Sequence, residues 1–355
     1  MSSPRKVLVA RPDRLGDVLL STPAFEVLAR AGSAVTVLVR AEVAPVIQGL
    51  PSVQGVILFD PSGRHAGLRG LFALAAEIRA HRFDAAVALQ SRRAVAWAIR
   101  LAGVPLRAGP LGKPHSFLLY NRGLRQHRSR VEMHEADYSL QLLERLGVPR
   151  PAEPPAPRAH VAPAVREQAR QWLAERGWRP GTALVAVHPG MGGSALNWPE
   201  ARYAETIRAL LREGRQVLVT AGPAEGALLE RIGAALGDLR GRTLFYGGAE
   251  ARPIDFMAAL LSWVDLVIAP STGPLHLAVA IGKPVVCFYA PIRVQSRERW
   301  GPYGVDPARA AVLVPQVDCG QTFSCRGAAC PHYPCMETLT VERTLAEVRR
   351  LLPQG

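Results

Sequence analysis

The strongest constraint on this chain is a rhythm. Short runs of Val, Leu, Ile and Ala, with little inside–outside alternation, are each followed by a stretch of helical period. Lys6 to Ala10 reads as a strand, Asp17 to Arg30 as a helix, Ala34 to Val39 and Val53 to Phe59 as strands. Leu68 to Ala80 reads as a helix with Leu71, Leu74, Ala75 and Ile78 on one face, Asp84 to Leu89 as a strand, and Arg92 to Ala102 as a helix. Strands that are apolar on both faces are those of a parallel sheet covered by helices on each side. Strand and helix in alternation predict the α/β class.

The rhythm breaks once. After a helical stretch, His134 to Leu146, come Gly147-Val148-Pro149 and a Pro/Ala-rich segment running to Pro163. Such proline density continues neither a helix nor a central strand and reads as a linker. The alternation then restarts: Ala183 to Val187, Gln216 to Thr220, Leu266 to Ala269 and Val285 to Phe288 as strands. Glu200 to Arg212, Ala224 to Ala235, Ile254 to Trp263 and Gly273 to Ile281 read as helices, and a last helix, Val341 to Leu352, is free to pack on either half. The expectation is two Rossmann-like αβα domains facing a central cleft. Residues 1–163 form the first, 164–340 the second with a Cys-rich segment at 319–335, and 341–355 a C-terminal helix.

A length of 355 residues suits two such domains, and 48% apolar with 20% charged residues is a globular balance. No apolar run reaches the roughly 18 residues that span a bilayer. Met1 to Val9 passes directly into a strand without the apolar core of a signal peptide, so a cytosolic protein is expected. The net charge is +14, and only three of the 43 basic residues are lysine. That surplus favours anionic partners: phosphates, acidic sugars, lipid head groups or nucleic acid. The basic residues are spread along the sequence with no aromatic-interleaved stripe and no helix-turn-helix signature, which argues against nucleic acid.

Three strand-to-helix loops carry residues suited to chemistry. Arg11-Pro12-Asp13-Arg14-Leu15-Gly16-Asp17 follows the first strand. It is neither a dinucleotide fingerprint nor a P-loop. Gly16 would permit a tight turn, and Asp17 would serve either as a helix cap or as a general base. Arg11 and Arg14 could hold an anion or be solvated. The second loop, His188-Pro189-Gly190-Met191-Gly192-Gly193-Ser194, has three glycines in four positions, so that backbone amides can approach an anion, with the Ser194 hydroxyl as a further donor. Pro199 suits the first turn of the next helix. In the third, Ala269-Pro270-Ser271-Thr272-Gly273-Pro274-Leu275-His276, Ser271 or Thr272 can cap, and His276 falls in the first turn. The second and third loops together suit a pyrophosphate. The chain has no Asp-x-Asp pair, so no metal is expected for catalysis and donor groups would stabilise a leaving phosphate.

Taken together these residues resemble family 9 glycosyltransferases, the lipopolysaccharide heptosyltransferases, nearly end to end. The anchors are Asp13-Arg14-Leu15-Gly16-Asp17-Val18-Leu19-Leu20-Ser21-Thr22-Pro23, His188-Pro189-Gly190 with Asn197-Trp198-Pro199, and Ser271-Thr272-Gly273-Pro274-Leu275-His276-Leu277-Ala278. The resemblance implies a GT-B fold, Asp17 as the base of an inverting transfer, and an ADP-heptose donor. It places Gly190, Gly192, Gly193, Ser194, Asn197, Ser271, Thr272, Gly273, Pro274 and His276 at the donor diphosphate. Glu225 matches a position at the donor ribose, and 250–254 a loop at the adenine. Arg11, Arg14, Gly16, Arg92 and Arg93 are the candidates for an anionic, Kdo-bearing lipid acceptor, whose place at the inner leaflet implies peripheral contact with the cytoplasmic membrane.

Two positions depart from the family. Leu196 stands where a lysine is common and Ser271 where an aspartate is usual. Either departure leaves room for another nucleotide or sugar, or for lost activity. Cys319, Cys325, Cys330 and Cys335 form a cluster that many members share, and structural zinc, free thiols and disulfides all remain open for it. Cys287 sits in an apolar run as a small buried hydrophobe. Two other readings stay open: a GT-B nucleotide-sugar epimerase, which needs no acceptor, and a non-catalytic anion-binding member of the family.

Overall fold

The computed structural model describes residues 4–193 and 195–353. By contacts the chain divides into two units: residues up to His160 without 129–131, and residues from Val161 together with Ser129–Val131.

The first unit runs β1 (Lys6–Ala10), α1 (Leu15–Leu19), α2 (Thr22–Arg30), β2 (Ala34–Val39), β3 (Gly55–Leu58), α3 (Gly67–Ala80) and β4 (Ala85–Ala88). It continues with α4 (Arg93–Leu101), β5 (Leu106–Pro110), α5 (Pro114–Leu119), β6 (Arg122–Leu124) and α6 (Glu135–Leu143). Its six strands are all parallel, in the order β3-β2-β1-β4-β5-β6. The second unit runs α7 (Pro163–Glu175), β7 (Leu184–Val187), α8 (Glu200–Arg212), β8 (Gln216–Thr220), α9 (Gly226–Leu236), β9 (Leu244–Tyr246) and α10 (Ile254–Ser262). It ends with β10 (Leu266–Pro270), α11 (Gly273–Ala280), β11 (Val285–Phe288), α12 (Arg297–Trp300), β12 (Ala310–Leu313) and α13 (Val341–Leu351). Its sheet, again all parallel, has the order β12-β11-β10-β7-β8-β9. Numbered from its own first strand, that is the order of the first sheet, so the two units repeat one doubly wound topology.

Both sheets change winding direction between their first and fourth strands, at β1/β4 and at β7/β10. Ligands of open α/β sheets bind outside the carboxyl ends of the strands at such a switch point. This places the loops after β1 and β4 in one unit, and after β7 and β10 in the other, where binding chemistry belongs.

The predicted helix Asp17–Arg30 is two helices, because Pro23 cannot donate to the carbonyl of Leu19 and its ring would clash there. The freed carbonyls find hydroxyls instead: Ser21 donates to Asp17 O at 2.8 Å and Thr22 to Leu19 O at 2.7 Å. Gly16 does not make the turn expected of it. It is buried inside α1, and the extended backbone at Arg14 makes the bend. Pro199 stands just before α8 rather than in its first turn. The last helix, α13, packs in the second unit, where Val341, Leu345 and Val348 join the core around Trp198 and Phe288. Among the described residues no helix is long and apolar enough to cross a membrane.

Candidate active site

In the first unit the switch-point loop is built around one buried cation. The Arg11 side chain is 1% exposed, yet it lies within reach of three carboxylates. It donates to Asp17 Oδ1 at 2.7 Å and to Glu135 Oε1 at 3.1 Å, and its Nε stands 3.3 Å from Asp13 Oδ2. A second arginine, Arg128, also donates to Glu135, and both arginines donate to the Leu89 carbonyl at the end of β4, at 3.2 Å and 2.8 Å. Arg92, at the start of α4, completes the ring by donating to Asp13 Oδ1 at 2.9 Å.

Asp17 differs from its neighbours in one respect. Asp13 and Glu135 side chains are 6% and 2% exposed, whereas that of Asp17 is 23% exposed. Burial is the largest influence on its carboxyl and raises its pKa; Arg11 opposes, and the charges of Glu135 and Asp13 add to the rise. The result is a carboxylate with one oxygen fixed by a cation and a proton affinity above the ordinary. Those are the properties a general base needs. Asp17 is not a helix cap: that position belongs to Arg14, and Asp17 lies in the first turn of α1. Of the four candidate arginines, Arg11 and Arg92 belong to the ring, and Arg14 and Arg93 are exposed.

In the second unit the loop after β7 is braced by Glu225. Its carboxylate accepts from the Gly222 amide at 2.8 Å and the Gly192 amide at 3.2 Å. A Cβ on Gly190 would crowd Glu225 Oε2, so the carboxylate would have to give up its place against the loop. Gly192 and Gly193 have φ of +53° and +69°, a region that suits glycine. The Gly192 amide, expected to meet a phosphate, thus meets a carboxylate of the same unit. Asn197 also turns inward: it donates to Pro189 O at 2.7 Å and accepts from the Trp198 amide and the Tyr203 hydroxyl. Ser194 lies outside the described residues.

His188, the residue that opens this loop, is buried, and its Nδ1 is 2.9 Å from the Thr220 hydroxyl. Burial lowers its pKa to about 4 against the opposing pull of Glu225, so the ring is neutral near pH 7. In the loop after β10, Thr272 precedes α11 with no capping bond from its side chain; its hydroxyl donates to Pro270 O at 3.2 Å instead. Ser271, Gly273 and Pro274 are partly exposed around it, and His276 is buried in the first turn. Leu196 packs partly buried against the core of the unit, so it offers apolar contact where a cation is common.

Sequence reasoning missed Glu135, Arg128 and His188 as site residues. Glu135 is 124 positions from Arg11, and nothing local marks a first-turn acid for burial. The cysteine cluster holds no disulfide. The other three thiols are near enough to add to the raised pKa of Cys335, an effect led by its burial. Among the described residues, though, no group of three or more His, Cys, Asp or Glu is placed to hold a metal ion. Cys287 is buried, donates to Ala311 O at 3.4 Å, and burial pushes its thiol well up.

Two doubly wound parallel sheets with helices on their faces are the GT-B class of glycosyltransferase fold. Residues 71–326 match the model of glycosyltransferase family 9 (heptosyltransferase). A protein of Haemophilus influenzae Rd named only as a glycosyltransferase is 33% identical over 84% of this chain and 86% of its own. Lipopolysaccharide heptosyltransferase 2 of Escherichia coli K12 is 26% identical over 81% and 83%. Among solved structures, the family 9 glycosyl transferase of Veillonella parvula superposes with a TM-score of 0.85 at 21% identity, covering 99% and 98% of the two chains. The E. coli ADP-heptose LPS heptosyltransferase II superposes with a TM-score of 0.78 at 21% identity, covering 98% of each. The chain belongs to glycosyltransferase family 9, the heptosyltransferase family, and is a glycosyltransferase.

Proposed function

We propose that this enzyme transfers a heptose from ADP-heptose to a Kdo-bearing lipid core, with inversion and without a catalytic metal, at the inner face of the cytoplasmic membrane. The observation that carries the reading is the Asp17 carboxylate, fixed at Oδ1 by Arg11 and raised in proton affinity. In this reading Asp17 takes the proton of the acceptor hydroxyl as that oxygen attacks the anomeric carbon. The bond from that carbon to the diphosphate breaks, and ADP leaves. The glycine loop after β7 and the start of α11 hold the diphosphate, with Gly190, Gly192, Gly193, Ser194, Ser271, Thr272, Gly273, Pro274 and His276 as donors or close backbone. Asn197 supports that loop, Glu225 serves the ribose, and Arg14 and Arg93, the exposed pair, meet acceptor anions. The donor is named by likeness to the lipopolysaccharide heptosyltransferases and ADP-heptose enzyme above, and Leu196 and Ser271 are the positions at which the donor could differ from theirs.

The test is product analysis with ADP-heptose and a Kdo-bearing lipid in the presence of a chelator. The reading expects a glycosylated lipid of inverted anomeric configuration and one ADP per transfer. Epimerised sugar from donor alone would replace it with the epimerase reading, and no turnover with any nucleotide sugar would leave a binding protein. Because burial raises the Asp17 pKa, kcat/KM should reach its acid-side plateau above the pH at which an ordinary carboxylate has ionised.

A further inference from the structure

The positive charge is less even than its spread along the sequence suggests. From Ala85 to Val131, forty-seven residues hold nine Lys and Arg and not one Asp or Glu. This stretch builds β4, α4, β5, α5 and β6. Arg92 and Arg128 are paired with Asp13 and Glu135 and Arg130 belongs with the second unit, while Arg93, Lys113 and Arg125 follow the carboxyl ends of β4, β5 and β6. The helices α3, α4 and α5 line one face of that sheet side by side, α4 packing against both of the others. Each follows a strand of a parallel sheet, so all three begin at its carboxyl edge, the edge that also carries Asp17.

At that edge the unit exposes large apolar side chains. Leu68 is 76% and Phe72 61% exposed, one turn apart on α3; Leu118 is 72% and Phe117 56% exposed on α5. All four lie within the first six residues of their helices, about 8 Å of rise. Both helices spend other residues on the core, Leu74, Ala75 and Ile78 from α3 and Leu119 from α5, so the outward ones are surplus to folding. Basic residues stand among them: Arg69 beside Leu68, Lys113 at the start of α5, and Arg125, whose guanidinium lies 5.9 Å from the Phe117 ring.

We propose that this edge of the first unit, with Leu68, Phe72, Phe117 and Leu118 as its apolar tips, docks on an anionic lipid bilayer. Apolar tips set in a basic field are the physical signature of interfacial binding: the tips enter the headgroup boundary while the cations meet lipid phosphates. A protein partner with an acidic surface would satisfy the charge alone, but two apolar pairs separated by the width of a helix fit a broad fluid surface better. The inference deepens the transferase reading by giving the surface that brings the enzyme to a lipid-borne acceptor. Its readout, binding to vesicles, needs neither donor nor acceptor.

The full-length chain is sedimented with vesicles of phosphatidylcholine alone and of phosphatidylcholine with about a third phosphatidylglycerol. Binding is expected to the anionic vesicles only, weakening as salt shortens the Debye length. The combined variant Leu68→Ser, Phe72→Ser, Phe117→Ser, Leu118→Ser is expected to lower partition at least roughly tenfold, and Lys113→Glu with Arg125→Glu to do so most strongly at low salt. Both variants should keep the wild-type thermal midpoint and ADP-induced shift, which shows the fold intact. Unchanged partition in the apolar variant overturns the proposal, as does wild-type protein that binds neither vesicle. A wild-type dimer that the apolar variant dissolves, in sedimentation velocity without lipid, would reassign the face to a second copy. Failure of transfer to a detergent-solubilised acceptor would sink the transferase reading alone and leave vesicle binding standing.

Discussion

The two switch-point loops are each organised around a carboxylate, and they hold it in opposite ways. In the first unit Asp17 is held by a cation, itself caught between three acids drawn from positions 13, 17 and 135. In the second unit Glu225 is held by the uncharged amides of Gly192 and Gly222. The first arrangement sets a proton affinity and the second sets a shape. Residues that must exchange a proton need the former; a loop that must fit a diphosphate needs the latter.

Charge removal and shape removal should therefore damage different things. Arg11→Met leaves Asp13 and Glu135 buried with part of their compensation gone, and should cost about 3–5 kcal/mol of first-unit stability. Denaturant unfolding at neutral pH measures it; a loss below about 1 kcal/mol would show the ring to be decoration. His188 supplies the pH counterpart in the second unit. Its folded pKa of about 4 lies below the unfolded value, so the unfolded chain binds more protons between pH 6.5 and 4. The contribution is complete above about pH 6.5 and is lost as pH falls toward 4, on the order of 1–3 kcal/mol. Thermal melts across that window should show it, and His188→Asn should flatten it.

Gly190→Ala tests shape alone. The added Cβ meets a carboxylate tied at both oxygens, so overpacking should cost about 1–3 kcal/mol, expressed as weakened ADP binding by calorimetry with little change in first-unit unfolding. The smallest expected effect is Trp198→Phe. It deletes the 2.7 Å bond from the indole to Leu339 O while keeping the stack on Phe288, for a loss of about 0.5–1.5 kcal/mol in second-unit unfolding.

Much of this was legible in the sequence, and the reason is locality. β1, β2, β8, β11 and α8 fall on their predicted bounds because an unbroken Val/Leu run or an amphipathic period is a local signal. β6 and β9, with three residues each, and the six-residue α5 were too short to show any period. Asp17 was singled out because it opens a helix after a strand. Its partner Glu135 was not, since only tertiary folding brings α6 to the loop after β1. For Asn197 the motif points to the donor, and its amide also braces Pro189 and Trp198. A motif marks a place in the fold, and the hydrogen bonds decide what each residue does there.

The most direct test of the central claim is the turnover of Asp17→Asn with ADP-heptose and a Kdo-bearing lipid. The amide keeps the shape and one hydrogen-bonding oxygen but cannot take a proton near pH 7. In this variant kcat should fall roughly 10²–10⁴-fold with ADP affinity unchanged. Turnover within a few fold of wild type would contradict it, and Asp17 would then be only one more partner of Arg11.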